Sequence, residues 1–425
     1  MLISWTSATN AAQLYNVVLA ANSSTKQPPT SNLSTDHVWD AFTILTLLED
    51  FARQGRVLDV PHGCVQANRF FEAMAYRTSR IADIGHEMDR HYCDKCMRVF
   101  QEENGELSKI HALVVDGICI GRPCCAYQLE PCKNPLMSKH ARFCAVHAPE
   151  SLVCAVVTCR SAVDEGYLTC SEPAHRQLES NRRERQKAMF YLSQVHHRHG
   201  ISHPANSLEP DDLADDIELP DGPEAPQQST TFTAQDQCPD KEDESARKLR
   251  GVFGRNRTHA EVVFHRPCGI MIRRETCYKA ETLTQITESL HWLEGRGLLP
   301  EVLFYDNGCR LYRSFRARND PLFDKLALPV DVFHWKSKHK KTDIECSYHC
   351  SPYSFPELRV DATGSWYFNS SVAEQNNVWL GGYHSMLREM GEVRYNFFLD
   401  EMILRRNRLT FAKLHDYSPG TLPTT

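Results

Sequence analysis

The spacing of apolar residues near the N-terminus predicts helices. A helix capped by Asp36 and ending near Gly55 is indicated by four apolar residues at helical intervals, Trp39, Phe42, Leu45 and Leu48. A second helix is expected from Gln66 to Ile84. Residues 1–35 are rich in Ser, Thr and Asn, and we expect them to be flexible.

Continuous apolar runs predict buried strands further along the chain. Residues 110–120 (IHALVVDGICI) form one such run, with Asp116 at its end. Residues 260–274 predict one or two strands. Residues 301–306 (EVLFYD) and 328–335 (LPVDVFHW) predict one strand each.

Helical spacing returns between and after these strands. An amphipathic helix closed by Gly295 and Gly297 is predicted from Leu283, Ile286, Leu290 and Leu293. Residues 370–408 are expected to be mostly helical. Strands that alternate with helices indicate an α/β fold, a mixed sheet flanked by helices.

Charge is distributed unevenly along the chain. Residues 201–248 are acidic and proline-rich, with too few large apolar residues to offset the entropy of ordering, so we interpret them as a disordered linker. Outside this linker the net charge of −6 becomes roughly neutral, with basic concentrations at 176–187, 336–341 and 405–408. The charge neither requires nor excludes a DNA partner.

The seventeen cysteines indicate metal binding more than disulfides. The chain has no run of eighteen apolar residues, so no membrane span is expected. Its N-terminus, MLISWTSATN, lacks the basic start and apolar core of a signal peptide, which predicts an intracellular protein. Clustered cysteines near histidines in a reducing compartment are typical of metal ligands.

Two segments share a Cys3His spacing suited to tetrahedral zinc. Each has a cysteine pair, a loop of ten or eleven residues and a Cys/His pair, as in Cys125, Cys132, Cys144 and His147, and again in Cys154, Cys159, Cys170 and His175. Both open with Cys-Ala, which suggests a duplicated unit. Four protein ligands predict a structural role for two zinc ions. The alternative is buried reduced cysteines, and Cys124 could replace Cys125.

Two further groups leave metal binding open. Cys93 and Cys96 form a CxxC knuckle without an obvious second pair, so half a zinc site and a simple turn are both compatible with them. A looser set has suitable ligand types but could equally be a basic loop with core cysteines, namely His334, His339, Cys346 and Cys350.

Three acidic residues are candidates for catalysis. Asp116 and Asp306 each close a predicted strand, and Glu374 falls in a predicted helix that Ser370 or Ser371 would start. Strand-end aspartates and a helical glutamate can hold two Mg2+ ions roughly 4 Å apart, which is the geometry of two-metal phosphodiester chemistry. Taken singly, each is more often a turn or cap residue. Their order along the chain is the one that an RNase H-like nuclease fold uses.

The C-terminal half resembles the fungal KDZ (Kyakuja–Dileera–Zisupton) transposases. The resemblance lies in Tyr305-Asp-Asn-Gly-Cys-Arg310, Leu328-Pro-Val-Asp-Val-Phe-His334 and Ala373-Glu-Gln-Asn-Asn-Val-Trp379. The module from Cys125 to His175, introduced by Asp116-Gly117, resembles the cysteine cluster associated with the same family. Together the similar segments cover about residues 90–200 and 250–410.

The resemblance implies a DDE-type transposase that cuts and joins DNA in the nucleus through bound Mg2+. Asp116, Asp306 and Glu374 match the first, second and third acids, although Ala373 stands where the family often has Gly. The implied core is RNase H-like and is interrupted by the zinc module. Phosphate contacts are expected from Lys336, Lys338, Lys340 and Lys341, for which a solvated loop is the alternative. A homo-oligomer stays open, because the N-terminal helices could pack on the core or bridge protomers.

These interpretations predict the following organisation: a flexible N-terminus (1–35), a helical region with the CxxC knuckle (36–109), the first core strand (110–120), the zinc module (121–178), a basic helix (179–200), the acidic linker (201–248), the remaining core (249–410) and a tail (411–425). The rival hypothesis is a catalytically inactive, domesticated zinc protein that binds DNA or a protein partner. Convergence of the three carboxylates would favour catalysis.

Overall fold

The computed structural model describes residues 5–19, 32–62, 68–102, 104–138, 140–202, 249–338, 343–360 and 364–416. It divides into two compact units. The sheet unit comprises Met1–Arg122 and Thr258–Thr425, and the cysteine unit comprises Pro123–Arg257. None of the described helices has the length and apolar character needed to span a membrane.

Seven strands and eleven α-helices are used in the description below. The strands are β1 (Met97–Gln101), β2 (Leu107–Ile118), β3 (Pro123–Cys124), β4 (Asn256–Arg257), β5 (Ala260–His265), β6 (Met271–Cys277) and β7 (Val302–Tyr305). The helices are α1 (Ala8–Leu14), α2 (Thr35–Arg53), α3 (Phe71–Ile84), α4 (Pro173–Ser202), α5 (Leu283–Gly295), α6 (Gly308–Arg318), α7 (Val332–Lys338), α8 (Ile344–His349), α9 (Val372–Gly381), α10 (His384–Leu387) and α11 (Glu392–Asp416).

The sheet unit is built on a mixed sheet with β2 at its centre. β2 pairs antiparallel with β1 and β5 and parallel with β7, and β5 continues into β6 as an antiparallel hairpin. Beyond β7, the amides of Leu303 and Tyr305 donate to the carbonyls of Ala327 and Pro329. This extended segment therefore runs beside β7, in parallel with it.

Helices cover both faces of this sheet. Along β2, Leu113 and Val115 point into an apolar cluster shared with α5 and α6. Ala112 and Val114, which alternate with these residues along the strand, point to the opposite face, where α9 packs. A strand buried on both faces must be apolar at every position, which explains the continuous apolar run at the centre of β2.

The predicted helices are present, with corrections at their ends. α2 is capped by Ser34, whose hydroxyl accepts from the His37 amide, and Asp36 lies in the first turn. Leu45 and Leu48 are about half exposed, whereas Leu47 on the adjacent face is fully buried. The buried face of α2 therefore lies about one residue away from the apolar stripe that the sequence predicted.

Two segments expected to be irregular contain helix. Within residues 1–35, α1 begins at Ser7, whose hydroxyl accepts from the Asn10 amide, and it buries Ala8 and Ala12. Small residues give a weak apolar signal, so this helix was missed. α11 extends into the predicted tail as far as Asp416. The predicted acidic linker lies outside the described residues from 203 to 248.

The predicted strand at 328–335 is wrong in its second half. The chain is extended only as far as Val330, and α7 starts at Val332. The carboxylate of Asp331 accepts from the amides of Phe333 and His334, at 2.9 and 3.2 Å. An aspartate that satisfies the first free amides of a helix favours a helix start over a strand of the same composition.

Strand structure also extends beyond the predicted limits near Asp116. β1 lies within the region 36–109 that was expected to be helical, and it pairs with the first half of β2. β2 itself continues to Ile118, so Asp116 is paired with Val263 of β5 and does not end the strand.

The N-terminal helices pack on α11 of the same chain. Leu47, Phe51 and Met74 form an apolar cluster with Phe397. Beside them Arg77 is fully buried, and its guanidinium forms ion pairs with Glu401 of α11 and with Asp50 of α2. The three elements are therefore held together by both apolar burial and a buried charge network.

Replacing Arg77 with Met should strongly destabilise this packing. The substitution removes the fully buried cation that Glu401 and Asp50 share and leaves them only the partly exposed Arg405 and Arg80. Breaking a buried pair costs about 3–5 kcal/mol. Urea unfolding monitored by circular dichroism measures the loss. Arg53→Met is the matched control, since its side chain is 43% exposed and pairs with Glu49 at the surface. Equal stabilities for the two variants would contradict the assigned role of Arg77.

Candidate functional site

The register of two parallel strands places Asp116 beside Asp306. Val115 of β2 is paired with Tyr305 of β7. Asp116 is the next residue of β2, and Asp306 directly follows the end of β7. Neighbouring strands lie about 4.8 Å apart, so the two carboxylates emerge at adjacent positions. The negative charge of Asp306 contributes to raising the pKa of Asp116.

Helix α9 brings Glu374 to the same place. Asn377, one turn after Glu374, donates from Nδ2 to Oδ2 of Asp116 at 2.7 Å. The neighbouring Asn376 is buried, and its Nδ2 lies 3.0 Å from Nδ1 of His265 and 3.2 Å from the Gly269 carbonyl oxygen. Two consecutive amide side chains therefore fix the helix against β2 and the β5–β6 hairpin, so that Glu374 faces both aspartates.

His334 of α7 and Asp331, which caps that helix, complete the group. Nδ1 of His334 lies 2.7 Å from Oδ1 of Asp306, 3.4 Å from Oδ2 of Asp331 and 3.6 Å from Oε1 of Glu374. Asp331 is buried, with 3% of its surface exposed. Sequence reasoning missed Asp331 because it was placed inside a strand. Its potential as a helix cap was the signal that could have revealed it.

The site concentrates negative charge in a partly desolvated position. Burial raises the pKa of Asp116 to about 6, opposed by the Gly117 amide and supported by the charges of Asp306, Glu374 and Glu281. Burial likewise raises the pKa of Glu374, and the carboxylates of Asp331 and Asp306 add to the effect. Such mutual repulsion favours binding of a cation.

The donor atoms fit a hard divalent cation. Oε2 of Glu374 and Oδ1 of Asp331 are buried and have no hydrogen-bond partner among the described residues. One oxygen of Asp331 and one of Glu374, with a ring nitrogen of His334, lie within 4.8 Å of one another. Carboxylate oxygens with one imidazole suit Mg2+ or Mn2+ better than the thiolate sets elsewhere in the chain.

The first predicted Cys3His set is assembled in the cysteine unit. The sulfurs of Cys132 and Cys144 are 3.8 Å apart, and Nδ1 of His147 lies 3.5 Å from Cys125 and 3.4 Å from Cys144. A tetrahedral zinc ion with Zn–S bonds of about 2.3 Å requires sulfur–sulfur edges of about 3.8 Å. The His147 ring stacks on Tyr127, with centroids 3.9 Å apart.

The second predicted set has the same geometry. The sulfurs of Cys159 and Cys170 are 3.9 Å apart, and Nδ1 of His175 lies 3.6 Å from Cys154 and 3.3 Å from Cys170. His175 lies in the first turn of α4, so this set anchors the basic helix to the cysteine unit. All eight predicted ligands therefore fall into two groups of four.

The cysteine unit resolves one alternative and reveals one omission. Cys125 belongs to the four-residue group, whereas Cys124 lies in β3, paired with β4. The predicted module ended at residue 178, but the chain returns to it after the linker. The Val157 amide donates to the Arg250 carbonyl, and the Val252 amide donates to the Ala155 carbonyl, each at 2.8 Å.

The looser set of predicted ligands is not assembled as one site. Among the described residues, His334 lies with the carboxylates and Cys346 forms a disulfide with Cys309. Cys350 packs with this pair in an apolar cluster, and His339 lies outside the described residues. The reason is α7, which turns His334 towards the acidic residues.

The remaining predicted residues are placed as follows. Cys93 and Cys96 lie just before β1, in a group with His91 and Cys268. Lys336 is exposed on α7, and Lys338 is its last residue, while Lys340 and Lys341 lie outside the described residues.

One comparison with known proteins identifies the cysteine-rich segment. Residues 114–181 match the family model described as a CxC6-like cysteine cluster associated with KDZ transposases. The match starts in β2 and ends in α4, so it includes both Cys3His groups. It confirms the resemblance of this segment to the KDZ-associated cluster. Comparisons with curated proteins and with solved structures found no match.

Zinc content should distinguish Cys125 from its neighbour. Cys125→Ala removes one donor from a group of four, so we expect the purified protein to lose about one zinc equivalent relative to the parent chain. Cys124→Ala, at an equally buried position, should retain the parent's zinc. Inductively coupled plasma mass spectrometry gives the counts. Loss of zinc from the Cys124 variant alone would reverse the assignment.

Neutralising Asp116 should stabilise the protein when no Mg2+ is present. Burial raises the pKa of Asp116 to about 6, above its pKa in the unfolded chain, so ionised Asp116 destabilises the folded state. This destabilisation is complete above that pH and absent below the pKa of the unfolded chain. We expect Asp116→Asn to raise the thermal midpoint at pH 7.5 by on the order of 2 °C or more. The gain should shrink at pH 5.5, where Asp116 is largely protonated.

The exposed Asp324 supplies the control for that measurement. Asp324→Asn should leave the midpoint unchanged at both pH values. Added Mg2+ should raise the midpoint of the parent protein more than that of Asp116→Asn, because a ligand that binds only the folded state stabilises it. A destabilised Asp116→Asn protein at pH 7.5 would show that the carboxylate is not held against its neighbours.

Proposed function

We propose that this protein is a DDE-type DNA transposase, or is derived from one, and that it cuts and joins DNA at Asp116, Asp306 and Glu374. The observation that carries the proposal is the convergence of these three carboxylates from β2, β7 and α9. The KDZ-associated cysteine cluster lies in the same chain and supports the same conclusion.

The topology of the sheet unit supports an RNase H-like core. Its strands follow the order β6, β5, β2, β7, and the segment at 327–329 continues this order beyond β7. Within this order, β5 runs antiparallel to β2, whereas β7 runs parallel to it. Asp116 lies in β2, and Asp306 directly follows β7, the strand that pairs with β2 in parallel.

In this proposal the three carboxylates would hold two Mg2+ ions, and the metal would supply activation of the nucleophile and stabilisation of the departing oxygen. Asn377 orients Asp116 by its hydrogen bond, and His334 contacts Asp306 and Glu374 through one ring nitrogen. Water attacks the phosphorus and the bond to the 3′ oxygen breaks, which leaves a 3′-hydroxyl and a 5′-phosphate. That hydroxyl then attacks a second phosphodiester, and the target's 3′ oxygen departs.

The cysteine unit contributes structure and a basic surface. Each Cys3His group supplies four protein ligands, so a bound zinc ion has no open position for substrate. The second group anchors α4, on which Arg183, Arg185 and Lys187 are exposed. These side chains would contact phosphates with little sequence preference, in keeping with a nuclear DNA partner.

A non-catalytic role is the second candidate. The cysteine unit closes on itself through the β3–β4 pair and carries its basic helix with it. Such a unit could bind DNA without any contribution from the acidic residues, as in a domesticated transposase. The two candidate functions differ in one requirement: the catalytic role needs Asp306 for DNA cleavage, whereas the binding role does not.

The deciding experiment measures Mg2+- or Mn2+-dependent cleavage of a labelled DNA duplex and of a branched strand-transfer intermediate. Asp306→Asn should lower the rate on the order of 100-fold or more, because a misplaced reacting group alone can cost that much. Asp324→Asn is the matched exposed control. Zinc content must be equal in all three proteins.

Retained DNA binding with no cleavage of either substrate by the parent protein would favour the binding role. Equal cleavage by the parent protein and Asp306→Asn would contradict the assigned site. The branched substrate matters because it presents the joined strands directly, so an unknown recognition sequence does not prevent the test.

A further inference from the structure

A third group of sulfur and nitrogen donors lies in the sheet unit, outside the KDZ-associated segment. His91, Cys93, Cys96 and Cys268 each offer one ligand atom, and these atoms all lie within 4.8 Å of one another. The sulfurs of Cys93 and Cys96 are 3.5 Å apart. The sequence displays only the CxxC half, because Cys268 follows after more than 170 residues.

The CxxC half is a tight turn at the start of β1. The amides of Cys96 and Met97 both donate to the Cys93 carbonyl, at 3.1 and 3.0 Å. The Cys93 amide in turn lies 3.1 Å from the Cys96 sulfur and donates to it. The backbone therefore holds the two sulfurs close together, as two cysteines that share one metal ion require.

The other half is the turn between β5 and β6. The Arg266 amide donates to the Ile270 carbonyl at 2.7 Å, and the Gly269 amide donates to the Arg266 carbonyl at 2.8 Å. Gly269 has a φ of 98°, a conformation that favours glycine. The turn is therefore fixed by the backbone, and it presents the Cys268 thiol to those of Cys93 and Cys96.

The surroundings of these donors are those of a metal site. Cys96 is fully buried, and Nε2 of His91 is buried with no hydrogen-bond partner among the described residues. A ring nitrogen grouped with three thiols forms a polar cluster, and a metal ion would offset the cost of burying it. The donor set, three sulfurs and one imidazole, equals that of both groups in the cysteine unit.

We propose that His91, Cys93, Cys96 and Cys268 bind a third structural zinc ion, which ties the start of β1 to the β5–β6 turn. The same turn receives α9, because Asn376 donates to the carbonyl oxygen of Gly269. The zinc ion thus fixes the β5–β6 turn, to which α9, the helix that carries Glu374, is hydrogen-bonded. This last consequence rests on the proposed function, whereas the site itself does not.

Zinc counting tests the site directly. We expect the full chain, purified in reducing buffer, to contain three zinc ions per molecule, two from the cysteine unit and one from this group. Cys268→Ala should contain one fewer. Cys277→Ala is the control, since Cys277 is also a cysteine of the sheet unit but is buried in the apolar core. Unchanged zinc in Cys268→Ala would overturn the proposal.

Thiol protection in the parent protein covers the case in which Cys268→Ala fails to fold. Brief treatment with N-ethylmaleimide should modify the exposed Cys119 and spare Cys93, Cys96 and Cys268 until a zinc chelator is added. Peptide mass spectrometry reads each site. Labelling of the three before chelation, or a Cys93–Cys96 disulfide in the reduced preparation, would overturn the proposal. Neither readout involves DNA, so an inactive protein leaves the test intact.

Discussion

The pairing of β2 with β7 is the constraint on which the rest of the sheet unit depends. Their parallel register sets Asp116 beside Asp306, and the repulsion between the two carboxylates must be offset by the remaining fold. The structure opposes it with a hydrogen bond from Asn377 and with the imidazole of His334. Glu374 adds further negative charge to a desolvated place, so the arrangement lowers stability unless a cation binds. Carboxylates with pKa values perturbed in this way mark a candidate functional site.

A long insertion interrupts this sheet without disturbing the register. The chain leaves the sheet unit after Arg122 and returns at Thr258. The two ends are joined by reciprocal bonds, since the Arg122 amide donates to the Thr258 hydroxyl and the Thr258 amide donates to the Arg122 carbonyl. β2 and β5 therefore remain neighbours whatever lies between them. The insertion is stabilised within itself by two Cys3His groups, which suits a segment with few apolar residues to bury.

Sequence reasoning succeeded where the information is local. The structure brings together the four donors of each predicted Cys3His set, because all four lie within one short segment and spacing alone relates them. The helix with Leu283 and Leu290 and the apolar strand with Val114 were also recognisable from periodicity. The choice between Cys124 and Cys125 needed the structure, since Cys124 ends β3 and Cys125 follows it, and spacing does not say which of two adjacent cysteines joins the other donors.

It failed where donors come from separate elements. His334 was grouped with Cys346 because they are close in sequence and share an affinity for zinc. The cap at Asp331 starts a helix there, and the helix turns His334 to the carboxylates while Cys346 meets Cys309. Cys268 was missed for the same reason, because only the β5–β6 register brings it to the CxxC turn. Local spacing therefore reveals candidate metal sites that are confined to one loop. Strand register and helix caps decide the groups that are assembled from separate elements, among them the acidic group.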